Sequence, residues 1–251
     1  GASEVVLAGV DLSAWGRDLR GASLADLVAR LRALRTALRF RLSSIEPHGL
    51  TDALLEAMVA GPDVCPHLHV PLQSGCDRVL RAMHRPYGTA MLADRVHAFA
   101  RALPGLAIGM DVIVGFPGET DADFDETRAF LESLPVTYLH VFPYSARPGT
   151  EAASLPGEPA PQVKAARSQA LRDFSAARRA AHAKALVGRD VEVVDVRSRA
   201  SGQVESLSGD YTRVLRRDTA GPRPGRFLLR VASARGADVL ASAAPSLSEP
   251  A

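Results

Sequence analysis

A chain of 251 residues, 47% of them hydrophobic, can bury a sizeable core as an α/β barrel-type domain, with or without a small added module. No apolar run approaches the ~20 residues that cross a bilayer, and the first residues lack the basic-then-apolar layout of a signal peptide, so no membrane association and a cytoplasmic location are expected. The two cysteines, Cys65 and Cys76, give neither a disulfide framework nor a metal-binding knuckle, and a net charge of +2 selects no partner by itself.

In chain order, Glu4 to Val10 reads as a strand almost from the first residue, as though the chain began in mid-fold. Leu24, Leu27, Val28, Leu31 and Leu34 recur at helical spacing. Arg39 to Pro47 is a short strand with a polar exit, which completes a strand–helix–strand rhythm. Leu50 to Val59 predicts a helix, His67 to Gly75 a strand, Asp77 to Met83 and Thr89 to Leu103 helices, and Leu106 to Val114 a strand. Asp121 to Leu134 predicts a further helix and Thr137 to Ser145 a further strand. Five strands in βα alternation predict a parallel sheet in an α/β fold.

The stretch Asp111 to Thr120 ends its apolar run in a glycine turn. Val112, Ile113 and Val114 suit a strand covered on both faces, while Gly115 and Gly118 let backbone approach a ligand or take positive φ. Thr120 is placed to cap a helix whose first turn holds Asp121 and Asp123. A tight turn that binds nothing is the bland reading of such a stretch. Company strengthens the functional one. The five strands end in Gly9 and Asp11; in Ser43, Ser44 and Glu46; in Gln73, Ser74 and Gly75; in Gly115 and Glu119; and in Tyr144 and Ser145. In a parallel barrel those ends share the rim on which ligands bind.

Pro156 to Pro161 marks a boundary. The following alanine-rich stretch to about Arg189 predicts one long basic helix, either a solvated face packed on the barrel or an RNA contact. From Gly188 short β runs separated by Gly, Asp and Ser turns predict a small barrel of the oligonucleotide-binding kind. Arg213, Arg216, Arg217, Arg223, Arg226 and Arg230 lie on or between its last strands, with Tyr211 as a stacking candidate. Residues 243–251 form a Ser/Ala/Pro tail expected to be disordered.

The segments Leu7–Leu12, Arg41–Pro47, His67–Gly75, Asp111–Thr120 and Phe142–Thr150 resemble, in order, those of the radical-SAM methylthiotransferases. The terminal β region resembles their TRAM domain, with Gly209–Val214 near its core motif. The Arg41–Pro47 wording is most similar to the branch that modifies N6-threonylcarbamoyladenosine in tRNA. The resemblance implies a partial TIM-like radical-SAM barrel over residues 1–158, lacking the first cysteine-bearing strand. It also implies a connecting basic helix over 159–187 and a TRAM-like RNA-binding barrel over 188–242.

The activity implied is methylthiolation at adenine C2 next to the anticodon. S-adenosylmethionine (SAM) and 4Fe–4S clusters would serve it through a 5′-deoxyadenosyl radical, hydrogen abstraction, and a methyl group from a second SAM. By family position, Gly9 and Asp11 would lie near the methionyl amino group. Ser44, Glu46, Gln73 and Ser74 would lie near the carboxylate and ribose, and Val112, Ile113, Val114 and Gly115 along the adenine. Arg147 would face substrate or cluster, while Tyr211, Arg213, Arg216 and Arg226 are the expected tRNA contacts. The family's cluster cysteines precede the Gly9 strand and are not in this sequence, and Cys65 and Cys76 cannot replace a closely spaced thiolate triad. The chain is therefore expected to be a fragment, inactive alone, that completes itself with a cluster-bearing N-terminal region. Asp11 and His84 stand where the family more often has Asn. The alternatives are a non-catalytic tRNA-binding protein, a methylthiotransferase of the isopentenyladenosine or ribosomal-protein branch, and a metal-independent barrel enzyme. The last would have only Glu46 and Glu119 as strand-end carboxylates, with Glu119 expected to cap a helix.

Overall fold

A computed structural model describes residues 2–199, 202–218 and 221–242; the expected disordered tail lies outside the described residues. Strands β1 (Glu4–Leu7), β2 (Arg39–Leu42), β3 (His67–Gln73), β4 (Ala107–Val114) and β5 (Tyr138–Pro143) alternate with helices α1 (Leu24–Ala33), α2 (Asp52–Val59), α3 (Asp77–Ala82), α4 (Thr89–Ala102) and α5 (Asp121–Ser133). All neighbouring strands among these five run parallel, β1 with β2, β3 with β4, and β4 with β5. The expected single sheet is interrupted between β2 and β3. Among the described residues, isolated bridges, Phe40 with Val64 and Ser44 with His69, join the two parts. Four residues of β2 are too few to carry a full ladder alongside the longer β3.

Strand alternation then sorts the side chains. Leu68, Val70, Leu72, Ile108, Met110, Val112 and Val114 face the helices and pack with Leu54, Met58, Leu92, Val96, Phe99 and Leu131. Each such buried aliphatic side chain contributes roughly 1.5–3 kcal/mol. Alternate positions on the other face include His67, His69, Gln73 and Asp111, so that face carries polar groups.

Helix α5 starts where the sequence places it. The Thr120 hydroxyl accepts from Asp123 N–H, and the Asp123 carboxylate accepts from Thr120 N–H at 2.7 Å, a reciprocal capping box. Arg78 also binds Asp123, and together these contacts hold its carboxyl far below the usual carboxylate range. Thr120→Ala is expected to lower the unfolding free energy by about 1 kcal/mol, measured by urea denaturation.

Helix α6 (Pro161–Ala185) runs for 25 residues, about 37 Å at 1.5 Å per residue. It packs along β5, where Ser175 Oγ accepts from Leu139 N–H at 2.8 Å. The packed-face reading holds for its inward basic residues. Arg167 is buried against Glu119 and Asp121, Lys164 binds Glu158, and the Arg179 guanidinium lies 4.4 Å from the Tyr138 ring centroid.

Strands β6 (Asp190–Arg199), β7 (Gln203–Ser208), β8 (Arg213–Arg217), β9 (Arg226–Arg235) and β10 (Asp238–Ala241) close into a small barrel in the order β10-β8-β7-β6-β9. Val193, Val214, Leu229, Val231 and Val239 fill it, and Ala183 and Leu186 from the end of α6 join that core.

Two buried arginines fasten this barrel across the base of the larger one. Arg39 donates to the carbonyls of Glu192 and Leu207 at 3.1 and 2.8 Å, and Arg41 donates to those of Gly209 and Ser208, each at 2.9 Å. Glu4 accepts from both, at 2.6 Å from Arg39 Nε and 2.7 Å from Arg41 Nε. Bidentate guanidinium geometry suits such a junction because it satisfies several carbonyls at once.

Candidate functional site

Since successive residues of a strand face opposite ways, the concave wall is built from every second position. Glu4 and Val6 come from β1, Arg41 and Ser43 from β2 and just beyond it, His67 and His69 from β3, Asp111 from β4, and Tyr138, His140 and Phe142 from β5. They surround a cavity of about 570 Å³ whose floor is closed by Leu207 and Tyr211 of the small barrel. Gly109 leaves the room that Tyr138 occupies, since a Cβ there would run into the tyrosine ring.

The wall is layered. At the floor, the Tyr211 ring lies 4.8 Å from that of His67 and 5.1 Å from the Arg41 guanidinium. Tyr138 Oη hydrogen-bonds His67 Nε2 at 2.8 Å and His69 Nδ1 at 3.3 Å. Burial first, then the Arg41 charge, pushes the His67 pKa down to about 3, so its ring is neutral. One layer up, Asp111 Oδ1 meets His69 Nε2 at 2.9 Å and His140 Nδ1 at 3.3 Å. Burial acts to raise the Asp111 pKa, but the hydrogen bond and charge of His69, with His140, bring it below its ordinary value. Burial and the neighbouring His69 lower that of His140.

The rim residues expected from sequence divide into two groups. Gly9 is exposed, Asp11 is partly buried with its Oδ1 lacking a protein partner, and Ser43 Oγ, just inside the rim, also lacks one among the described residues. Ser44 lines the cavity, Glu46 has its backbone N–H fixed by Ser13 Oγ at 3.0 Å, and Gln73 takes a left-handed φ of 69° at the strand exit. A non-glycine residue held in that region is a cost that folded structures retain most often at binding sites. Of these, Ser43 and Ser44 line the cavity itself. Ser74 does not join them: its hydroxyl turns outward to Thr127 Oγ1 and Cys76 N–H.

Val112 and Val114 likewise send their side chains to the core, and Ile113 lines a separate, smaller cavity with Met83, Phe116 and Tyr144. Gly115 has a φ of 76°, as a glycine turn requires, but the space beside its Cα is filled by the Lys164 stem rather than left for a ligand. Glu119 is not a helix cap. It is buried, accepts from Gly115 N–H at 2.5 Å and pairs with Arg167 at 2.6 Å, so it ties the glycine loop to α6.

Among the expected RNA contacts, Arg147 is exposed beyond the β5 exit. Arg216 is corrected: it is buried in the small barrel and bound to Asp195 and Asp218, which removes it from any phosphate. Arg213 is held by Asp238, Arg226 lies 3.6 Å from Glu192, and Tyr211 faces the cavity floor and not an outer strand surface. Glu4, Arg41, His67, His69, Asp111, Tyr138 and His140 were not singled out as site residues by sequence. Their signal was a polar residue at every second place in otherwise apolar strands.

The donor set suits one implied group and not the other. A cavity lined by Ser43 and Ser44, with the Ser43 hydroxyl unpartnered among the described residues, offers acceptors for the ammonium and hydroxyls of a sulfonium nucleoside such as SAM. Cys65 and Cys76 are buried, with burial pushing their thiols up to about 12 and about 11, so neither supplies a cluster thiolate.

The family model described as the radical SAM superfamily matches residues 3–131. The chain is 36% identical over 242 residues to a tRNA-2-methylthio-N(6)-dimethylallyladenosine synthase of Cereibacter sphaeroides, covering 96% of the chain and 55% of that protein. It is 41% identical over 165 residues to threonylcarbamoyladenosine tRNA methylthiotransferase MtaB of Bacillus subtilis, covering 65% and 37%. With the Thermotoga maritima protein of the same name the figures are 34% over 227 residues, covering 90% and 51%. The chain spans about half the length, or less, of these curated relatives. Among solved structures, coproporphyrinogen III oxidase from Escherichia coli, a radical SAM enzyme, superposes with a TM-score of 0.55 at 17% identity, covering 82% of the chain and 54% of the oxidase. At that identity the likeness speaks for the fold.

Proposed function

We propose that this chain, which belongs to the radical SAM superfamily, is the SAM-binding and RNA-facing part of a tRNA methylthiotransferase. The observation that carries the reading is the similarity to tRNA methylthiotransferases along nearly the whole chain, small barrel included. The substrate we assign is N6-threonylcarbamoyladenosine next to the anticodon, modified at C2. The Arg41–Pro47 wording is what supports it over the isopentenyladenosine branch.

SAM, with a 4Fe–4S cluster supplied by a region outside this sequence, provides the methyl group and the radical chemistry when bound. The chain's own residues bind and orient. Gly9 and Asp11 receive the amino group, and Ser43, Ser44, Glu46 and Gln73 receive the carboxylate and ribose hydroxyls. Ile113 and the Val114 backbone lie along the adenine. The concave wall below keeps bulk water from the reacting face. The small barrel is the TRAM-type module that holds the tRNA. Arg197, Arg213, Arg223 and Arg230 remain at its surface even where a carboxylate shares them, and Arg147 stands at the rim. Counterion release from phosphates then makes RNA binding steeply salt-dependent.

Mass spectrometry of tRNA nucleosides from a strain lacking the gene tests the reading. The methylthio group is expected to be lost from threonylcarbamoyladenosine while the unthiolated nucleoside accumulates. Loss from the dimethylallyl nucleoside instead assigns the other branch. Retention of both overturns the enzyme reading and leaves a non-catalytic tRNA-binding protein.

A further inference from the structure

We propose that His69, Asp111 and His140 form a binding site for one divalent first-row transition-metal ion, halfway down the concave wall and separate from any cysteine-held cluster. Three different strands, β3, β4 and β5, bring the side chains together: Asp111 is paired directly with His140, and His69, paired with Gly109, lies two residues along the ladder. One donor atom from each of His69, Asp111 and His140 lies within 4.8 Å of those of the other two. The two nitrogens approach the carboxylate oxygen at 2.9 and 3.3 Å. Metal–ligand bonds of about 2.0–2.2 Å place neighbouring donors roughly 3–3.5 Å apart, so little movement is needed to admit an ion. Two imidazoles and one carboxylate leave positions open toward the cavity, the pattern in which Fe, Mn, Co or Zn is held with water or a ligand heteroatom alongside.

The surroundings are arranged for the same purpose. Metal-ligating imidazoles are oriented by a partner on the other ring nitrogen, and here Tyr138 Oη meets His69 Nδ1 at 3.3 Å. Tyr138 also meets His67 Nε2 at 2.8 Å, and the His67 Nδ1 is buried without a partner among the described residues. In the free protein one consistent arrangement runs His67 Nε2–H to Tyr138, Tyr138 O–H to His69 Nδ1, and His69 Nε2–H to Asp111. Reversing that chain places the His69 proton on Nδ1 and frees the Nε2 lone pair for a metal, with each group keeping one proton. His140 is half-exposed and gives an entry path. A second trio, Cys76, Asp123 and Glu126, is a weaker candidate because Arg78 and Thr120 already engage the Asp123 carboxylate.

Co(II) is the probe. Titrated into the metal-free 251-residue chain and followed by visible absorption and calorimetry, it is expected to bind one equivalent with d–d bands and no thiolate charge-transfer band. His140→Ala, at a half-exposed position, and Asp111→Asn are each expected to weaken it at least about 100-fold. Tyr138→Phe should weaken it about 10-fold, the lower end of effects for such supporting partners. Cys76→Ser should leave it unchanged. Circular dichroism checks that each variant is folded. Absence of stoichiometric binding, binding indifferent to both His140→Ala and Asp111→Asn, or a thiolate band lost in Cys76→Ser would each overturn the assignment.

Discussion

Glu4→Gln is expected to lower the unfolding free energy by about 3–5 kcal/mol, the usual consequence of removing one partner from a buried ionic cluster. Among the described residues Glu4 is the one side-chain carboxylate hydrogen-bonded to both Arg39 and Arg41, whose side chains are only 1% and 3% exposed. A glutamine keeps the shape and one acceptor oxygen but leaves two buried like charges without their shared counter-charge, the Glu192 carboxylate remaining only beside Arg39 at 3.7 Å. Those arginines carry the carbonyl contacts that fasten the small barrel, so the urea transition of the variant should also broaden or split as the two barrels unfold separately. A loss below about 1 kcal/mol would show that water reaches the cluster and screens it.

The same carboxylate gives a pH signature. Burial raises the Glu4 pKa, but the hydrogen bonds and charges of Arg41 and Arg39 outweigh it and bring it below its ordinary value. A group whose folded-state pKa is depressed stabilises the fold above its unfolded pKa, near 4.3, and loses that contribution as pH falls through the folded value. Wild-type stability should therefore fall below about pH 4, and Glu4→Gln should lack that part of the slope.

Much of the architecture was legible because its signals are local. Alternation of strand and helix, the Thr120–Asp123 cap and the short β runs after Gly188 each depend on neighbours within a few residues, and each is found. What eluded the sequence depends on partners far along the chain. Arg39 and Arg41 meet carbonyls more than 150 residues away, so their role as a junction leaves no nearby trace. Arg216 looks like any surface arginine until Asp195 and Asp218 are folded around it. Ser74 and Gly115 were assigned to a ligand because strand ends and glycines commonly serve one. Thr127 and Lys164, on α5 and α6, claim those places instead. The His69–Asp111–His140 layer was visible only as polar residues at alternate strand positions, a pattern that acquires meaning once the three strands are aligned.

Arg167→Met is expected to lower the unfolding free energy by about 3–5 kcal/mol for a different reason. Glu119, with a side chain 1% exposed, would keep its charge in the interior with only the Gly115 N–H at 2.5 Å to satisfy it. The methionine retains the apolar stem over the Phe124 ring, whose centroid lies 5.4 Å from the native guanidinium, so the lost term is ionic and not one of volume. Adding Glu119→Gln should restore most of the stability. The neutral amide still accepts from Gly115 and no longer needs a cation, and a double-mutant cycle by urea denaturation measures the coupling. Because Gly115 holds a φ of 76° beside the Lys164 stem, the loop's shape depends on α6 as well as on its own glycine. If that loop is the adenine-binding edge, Arg167→Met should weaken SAM binding to the cluster-loaded full-length enzyme more than 10-fold. The double variant should recover both properties together. Recovery of stability without recovery of SAM affinity would show that Arg167 meets the cofactor itself and is not only the brace behind the loop.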